Sequence, residues 1–131
     1  IHLSFLKEVV ARLHAEDIRT SLFVDPDPDI IEMAALTGTD RVELYTEEYA
    51  RRFPADPVKA AHPYLLAAEA ASGLGLGLNA GHDLSLVNLH YLVLAIPELK
   101  EVSIGHALIC DALSLGLEVT INRYLECLRI S

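Results

Sequence analysis

Tryptophan is absent from this 131-residue sequence, and aromatic residues of all kinds make up only 6% of it. Hydrophobic residues nevertheless amount to 52%, so the core has to be built mainly from aliphatic side chains. Aliphatic cores rich in leucine, valine and alanine are typical of α/β folds, whose buried strands read as apolar runs. The length suits one domain of ordinary size.

Basic residues are also scarce, since 10 lysines and arginines face 19 aspartates and glutamates, for a formal net charge of −9. Nucleic-acid binding needs clustered basic residues, so this composition argues against it. Electrostatic binding to an anionic membrane is disfavoured for the same reason. An anionic small molecule remains compatible, because backbone N–H groups can hold a phosphate without net positive charge.

Cysteines and long apolar runs are few as well. Cys110 and Cys127 lie in helix-like stretches without metal-ligand spacing, so we interpret them as reduced core thiols of a cytoplasmic protein and predict no metal site. No apolar run approaches the roughly 20 residues of a membrane span, and no signal peptide is visible. The chain opens on Ile1 in what reads as mid-helix, which suggests a segment of something longer.

Strand and helix patterns alternate along the chain. The predicted strands cover 19–25, 41–45, 75–79 and 101–105. The predicted helices cover 6–13, 28–37, 47–53, 58–72, 86–95, 107–115 and 118–128. Asp27 and Asp56 each precede a proline, which is the usual start of a helix, and Thr46 is a plausible cap for the third helix. One helix followed by four strand–helix units predicts a parallel sheet with right-handed crossovers.

The residues of the predicted strands divide into two faces. The apolar set, which we expect to face the helices, is Leu22, Val24, Val42, Leu44, Leu76, Leu78, Val102 and Ile104. The opposite set is richer in polar residues: Ser21, Phe23, Asp25, Glu43, Gly77, Asn79 and Ser103. A doubly wound sheet would be apolar on both faces, whereas a polar face at the strand ends suits the mouth of a barrel.

Four strand–helix units amount to half of a (β/α)8 TIM barrel, which typically needs about 250 residues. We therefore predict that 1–131 is a single α/β domain forming one half of such a barrel. A half barrel has two open parallel edges and one uncovered strand face, and such edges invite pairing. We expect the chain to be part of a longer polypeptide or to self-associate, as a homo-oligomer would.

Two glycine–histidine sequences follow consecutive predicted strands. The first is LGLNAGHD at 76–83, and the second is EVSIGHA at 101–107. Gly77 and Gly81 allow positive φ or the close approach of another group. Polar side chains at the carboxyl end of a strand, just before a helix, are how α/β enzymes build sites. We therefore expect site roles for Asn79 and His82, and for Glu43, whose alternation places it on the Asn79 face.

The motifs resemble those of the pyridoxine 5'-phosphate synthase family. The matching segments are SLFVDPD at 21–27, VELYT at 42–46, LNAGHDL at 78–84 and VSIGHA at 102–107. The resemblance covers essentially the whole chain, as the last four βα units of the family's barrel. It implies condensation of 1-deoxy-D-xylulose 5-phosphate with 3-amino-2-oxopropyl phosphate, without a metal or an organic cofactor.

The resemblance also implies roles for individual residues. His82 stands where the family has its proton donor, and we predict Glu43 as a second catalytic residue. Asp83, Gly105 and His106 match positions that bind the amino-oxopropyl phosphate, although many members have glycine where Asp83 stands. We predict Asn79 as a further substrate-binding or phosphate-binding residue. The family's other catalytic base, its early glutamate and its arginine ligands belong to the first half of the barrel, so the isolated segment is predicted to be inactive.

The expected ligands are phosphorylated small molecules. In (β/α)8 barrels a phosphate is frequently held by the loops after strands seven and eight. If the four units are the last four of a barrel, those loops are 81–84 and 105–107.

Two other functions remain open from the sequence. One is another phosphate-handling barrel enzyme. A Schiff-base aldolase needs a lysine inside the barrel, and none of Lys7, Lys59 and Lys100 falls on the inward face of a predicted strand. The other is a non-catalytic phosphate-binding or assembly module. The dipeptide of His82 and Asp83 could suggest a metal-dependent phosphohydrolase, but it lies in a glycine turn without further ligands.

Overall fold

The computed structural model describes residues 2–129 as an α/β structure with a single four-stranded sheet. The elements follow one another as α1 (Leu3–Ala15), β1 (Ser21–Val24), α2 (Pro28–Ala35), β2 (Arg41–Tyr45), α3 (Glu47–Arg52), α4 (Pro57–Gly73), β3 (Gly77–Gly81), α5 (Leu89–Ala95), β4 (Leu99–Ser103), α6 (His106–Leu115) and α7 (Leu117–Cys127). The domain predicted over 1–131 also includes Ile1, Ile130 and Ser131, which lie outside the described residues.

The four strands lie side by side in the order of the chain, β1-β2-β3-β4, and each neighbouring pair is parallel. The predicted α/β class and parallel sheet are therefore confirmed. The register aligns Leu22 with Val42 and Val42 with Leu78. Between β3 and β4 the register shifts, because Leu78 pairs with Leu99 while Asn79 pairs with Glu101. This bulge leaves Leu99 and Val102 both packed against the core.

Two strands lie two residues away from their predicted positions. The third strand, predicted at 75–79, is β3 at Gly77–Gly81, because Gly75 has φ +73° and the N–H of Leu76 still donates to the α4 carbonyl of Ala71 at 2.9 Å. The fourth, predicted at 101–105, is β4 at Leu99–Ser103. Its bulge lets pairing begin at Leu99, and Gly105 already serves as the N-cap of α6.

Helix starts agree with the sequence where an aspartate caps them. The side chain of Asp27 accepts from the N–H of Asp29 at 2.9 Å, and that of Asp56 accepts from the N–H of Lys59 at 3.0 Å. The helix predicted from 86 begins instead at Leu89. Residues 85–88 form a turn in which the N–H of Ser85 donates to the side-chain oxygen of Asn88 at 2.8 Å.

The core lies between the sheet and the helices, on the strand face predicted to be apolar. Val42 and Leu44 are fully buried there, and α4 contributes a row of buried alanines to the same core. The core is mainly aliphatic, as expected, but its two largest fully buried side chains are Tyr49 and Tyr64. Their hydroxyls donate to the carbonyl oxygens of Asn88 and Tyr45, at 2.6 and 2.9 Å, which allows the rings to be buried.

The two cysteines are reduced, but the interpretation of both as core thiols was wrong for Cys110. Cys127 is half-buried on α7, and its pKa is raised by burial. Cys110 is exposed, because α6 has no buried residue in the described structure.

A polar network crosses the sheet face opposite the helices. The guanidinium of Arg19, just before β1, donates to both carboxylate oxygens of Glu101 on β4, at 2.8 and 3.0 Å. Between them, Arg41 donates to the side-chain oxygen of Asn79 at 3.0 Å, and the Asn79 amide donates to Glu101 at 3.3 Å. The Arg19 hydrogen bonds are the main reason that the pKa of Glu101 is lowered.

A carboxylate before β2 ties α1 to the start of β1. One oxygen of Asp40 accepts from the N–H of Thr20 at 2.7 Å, from the Thr20 hydroxyl at 3.0 Å and from Nε2 of His14 at 2.8 Å. The N–H of Thr20, followed by the His14 hydrogen bond, lowers the pKa of Asp40 from 3.8 to about 2.

Asp40→Asn should therefore lower stability in a pH-dependent way. A carboxylate whose folded pKa lies below its unfolded value stabilises the protein above the unfolded pKa, and this contribution is lost as the pH falls through the folded pKa. We expect the variant to unfold at lower urea concentration than the parent at pH 7, and the difference to shrink between about pH 4 and pH 2. The measurement is urea unfolding across pH, with Glu8→Gln on the exposed face of α1 as the control. A difference that does not change with pH would contradict this role of Asp40.

Candidate functional site

A cavity of about 640 Å³ lies where the strands end. Its lining comes from β1, β2 and the last residue of β4, from the loops that follow β3 and β4, and from the start of α6: Phe23, Glu43, His82, Asp83, Leu84, Ser103, Ile104, Gly105, His106, Ala107 and Cys110. The two glycine–histidine loops therefore meet at one cavity. Of the six predicted site residues, all but Asn79 contribute to this lining.

The turn after β3 carries an unusual backbone. His82 has φ 88° and Asp83 has φ 56°, a left-handed backbone conformation that residues other than glycine seldom adopt. Of the two roles predicted for Gly77 and Gly81, positive φ is found at neither glycine. Strained backbone of this kind is often found at functional sites, where the surrounding structure has to enforce it.

The imidazole of His82 lies between an aromatic ring and a carboxylate. The Tyr45 ring meets it edge-on with the ring centres 4.8 Å apart, and Nδ1 lies 3.3 Å from a carboxylate oxygen of Asp83. The contact with Asp83 is an ion pair by distance, and its geometry is not that of a hydrogen bond. The Tyr45 hydroxyl itself donates to Glu47, which is the largest reason that the pKa of Tyr45 is raised.

Glu43 contacts the end of β3 at Gly81. A Cβ atom at Gly81 would overlap the Glu43 carboxylate and would lie 3.1 Å from the Cβ atom of Ser103. Gly81 is therefore needed for the close approach of another group, which was one of the two roles predicted for it. The missing side chain lets the Glu43 carboxylate lie directly against the strand that leads to His82.

Asn79 lies apart from the cavity lining. It is buried, and its amide takes part in the network with Arg41 and Glu101 described above. Sequence analysis missed both of these charged partners. The alternation that identified Glu43 also puts Arg41 on the same face, so this residue could have been found. Glu101 could have been placed there as well, because it stands two residues before Ser103 and shares its face, whereas the hydrogen bonds that join these side chains could not be predicted.

Thr46 stands at the N-cap of α3, as predicted, but its side chain makes no capping hydrogen bond there. Its hydroxyl instead donates to the carbonyl oxygen of Gly81 at 2.7 Å and also contacts that of His82. This residue belongs to the VELYT segment, but nothing in the sequence shows that it reaches the neighbouring loop.

Among residues 2–129, no lysine and no arginine lines the cavity. An anion there would be bound by backbone N–H groups and histidines. Helix α6 begins at His106, which lines the cavity, and the free N–H groups of its first turn are available for this. The second helix start expected near Leu86 does not contribute, since α5 begins later and none of its residues lines the cavity.

Two further findings concern residues 2–129 as a whole. Nowhere in this part of the chain do three histidine, cysteine, aspartate or glutamate side chains cluster in a way that could hold a metal ion. None of its helices combines the length and the apolar character required to cross a membrane.

The parallel sheet, with a cavity at the carboxyl ends of its strands, defines an α/β protein of the kind that places its site at that edge. Comparison with known families is specific: the chain belongs to the family described as pyridoxal phosphate biosynthesis protein PdxJ, whose model matches residues 1–130.

Curated relatives carry the name pyridoxine 5'-phosphate synthase. The chain is 59% identical to the protein of this name from Bacteroides fragilis over 129 residues, which are 98% of the chain and 54% of the relative. It is 58% identical over 128 residues to the one from Bacteroides thetaiotaomicron, with 98% of the chain and 54% of the relative covered. For the Cytophaga hutchinsonii protein the identity is 56% over 128 residues, with the same coverage of 98% and 54%. The chain thus spans about half the length of the curated relatives it matches.

Proposed function

We propose that this chain is the C-terminal half of a (β/α)8 barrel and that, within the complete barrel, it takes part in pyridoxine 5'-phosphate synthesis. The reaction would condense 1-deoxy-D-xylulose 5-phosphate with 3-amino-2-oxopropyl phosphate. The observation that carries the proposal is the meeting of both glycine–histidine loops and Glu43 at one cavity. Family membership and the names of the relatives support the same reaction.

His82 is the proposed proton donor. Imidazole can give and take protons near neutral pH, which suits it to general acid–base catalysis. Asp83 lies on the Nδ1 side of the ring, and we propose that Nε2 exchanges the proton with the substrate. Glu43 is the proposed second catalytic group. Its carboxylate lines the same cavity as His82, where it would stabilise positive charge on the substrate or accept a proton from it.

The phosphate of amino-oxopropyl phosphate is proposed to bind at Gly105 and His106, where α6 begins. A Cβ atom at Gly105 would meet no protein atom within 4 Å, so the free space there is available to a ligand. Free N–H groups at a helix start, together with the helix dipole, favour an anion. Asp83 would contribute through its backbone, since its carboxylate would repel a phosphate. Asn79 would act from the network beneath the cavity.

The surroundings of the barrel are part of the proposal. The outer strands β1 and β4 each have one edge without a partner strand in the described structure. We propose that the other half of a single domain pairs with these edges and that complete barrels form a homo-oligomer. Reduced thiols and phosphorylated substrates support a cytoplasmic setting.

A chimera tests this function directly: the present chain replaces the matching segment of the Bacteroides fragilis relative. We expect the chimera to form pyridoxine 5'-phosphate from the two substrates, and the 131-residue chain alone to show no turnover, because a half site lacks the remaining catalytic groups. The measurement is product formation by the chimera, the isolated chain and the unaltered relative. A chimera that binds inorganic phosphate at the cavity but forms no product would favour a non-catalytic phosphate-binding module.

A further inference from the structure

The end of β2 and the turn after β3 are joined by one buried hydroxyl. We propose that Thr46 is a positioning residue: its hydroxyl fixes the backbone of the turn that presents His82 to the cavity. The inference rests on the proposed function of His82, but it concerns a residue that does not itself line the cavity.

Thr46 is fully buried and makes three contacts with this turn. Its N–H donates to the carbonyl oxygen of Gly81 at 2.9 Å, and its hydroxyl donates to the same oxygen at 2.7 Å. The hydroxyl also contacts the carbonyl oxygen of His82. A single hydroxyl proton is thus shared between two successive carbonyls, which fixes the orientation of the peptide groups on both sides of His82.

The left-handed conformation of His82 depends on the orientation of these two peptide groups. A non-glycine residue at positive φ is energetically unfavourable, and this conformation persists only where neighbouring groups enforce it. His82 has φ 88°, and rotation of its backbone would carry its carbonyl oxygen away from Thr46. The hydroxyl therefore favours the left-handed conformation over the ordinary one, and the imidazole direction follows from the backbone.

A second contact supports the turn from the other side. The side-chain amide of the buried Asn88 donates to the carbonyl oxygen of Asp83 at 3.2 Å. The carbonyl of Asn88 in turn accepts from the Tyr49 hydroxyl at 2.6 Å. In this turn, His82 and Asp83 thus each have a carbonyl oxygen in contact with a buried polar side chain. Of the two side chains, Thr46 contacts the residue whose imidazole is proposed to transfer the proton.

A purely structural threonine would affect stability alone, so the test separates the two roles. In the chimera, Thr46→Val removes the hydroxyl and keeps the shape of the side chain, whereas Thr46→Ser keeps the hydroxyl. We expect Thr46→Val to lower kcat about tenfold or more with a smaller change in KM, and Thr46→Ser to stay near the parent. If Thr46→Val does not fold, Thr46→Ala replaces it.

Thr37→Val is the matched control, because the buried Thr37 hydroxyl also donates to a backbone carbonyl, that of Ala34 at 2.7 Å, away from the cavity. It should lower thermal stability and leave kcat within about twofold. The role also requires that Thr46→Val adds no further loss of kcat when His82 is already replaced. A full additional loss there, or a drop in kcat shared with Thr37→Val, would overturn the proposal.

Hydrogen exchange gives a readout that does not depend on turnover. In the chain itself, Thr46→Val should speed exchange at the amides of residues 81–83 more than Thr37→Val does. If the parent chimera forms no product, the proposed function fails, and the exchange experiment still decides whether Thr46 fixes the turn. If the parent is active and His82→Asn is slow, but Thr46→Val matches the parent in kcat and in exchange, only the inference about Thr46 fails.

Discussion

Replacing His82 by asparagine is expected to lower the turnover of the chimera by about 10²–10⁴-fold, the usual size of a general acid–base contribution. Asparagine can fill the space and form hydrogen bonds, but it cannot transfer a proton at neutral pH. It also tolerates positive φ better than most residues, so the backbone at φ 88° should be retained. The loss is therefore expected in kcat, with the affinity for inorganic phosphate nearly unchanged.

The experiment is steady-state kinetics together with calorimetric binding of inorganic phosphate. His62→Asn is the matched control, because His62 is an exposed histidine on α4 that does not line the cavity. It should leave both kcat and phosphate binding unchanged. If His82→Asn turns over like the parent, His82 is a structural residue of the turn and the proton comes from elsewhere.

Gly81→Ala is expected to lower turnover by roughly 10²-fold, since a displacement of about 1 Å in a catalytic group can have that effect. The added methyl group would overlap the Glu43 carboxylate, which is the flexible end of a side chain and can move away. Ser103 has to give by only a few tenths of an ångström, because its Cβ atom would lie 3.1 Å from the new one. We therefore expect little loss of thermal stability beside a large loss of kcat.

Comparison with Glu43→Gln makes this prediction specific. If the methyl group acts by displacing the carboxylate, Gly81→Ala should add little to the loss already caused by Glu43→Gln. Gly73→Ala controls for the loss of a glycine, because a Cβ atom there meets nothing within 4 Å and its φ is not positive. Turnover of Gly81→Ala equal to that of the parent, or full additivity of the two changes, would show that the methyl group does not act through the position of Glu43.

Much of the fold could be predicted because its signals are local. Asp27 and Asp56 each stand before a proline, and both do cap the helices that follow. The alternation around Val42 identified the buried face of β2, and the same alternation brought Glu43 to the opposite face. The two glycine–histidine loops meet at one cavity because parallel strands have their carboxyl ends at the same edge.

The parts that could not be predicted depend on contacts between distant residues. The third strand begins after Gly75 rather than at it, because the turn that closes α4 takes up Gly75 and Leu76. Asn79 is directed into the network by Arg41 and Glu101, the latter 22 residues further along the chain. The contact of Thr46 with the turn after β3 spans 35 residues. The roles of the site residues remain predictions for the experiments above.

The order of the strands also bears on how the chain is made. Each strand pairs with the one synthesised just before it, so Val42 finds Leu22, Leu78 finds Val42 and Leu99 finds Leu78. From β2 onward each new strand finds its partner already synthesised, and each pairing closes a loop that spans only the intervening helices. Synthesis releases about 5–20 residues per second, which is slow compared with the closing of such loops. The sheet can thus grow at a single edge while translation continues, and β4 forms the last edge of the segment.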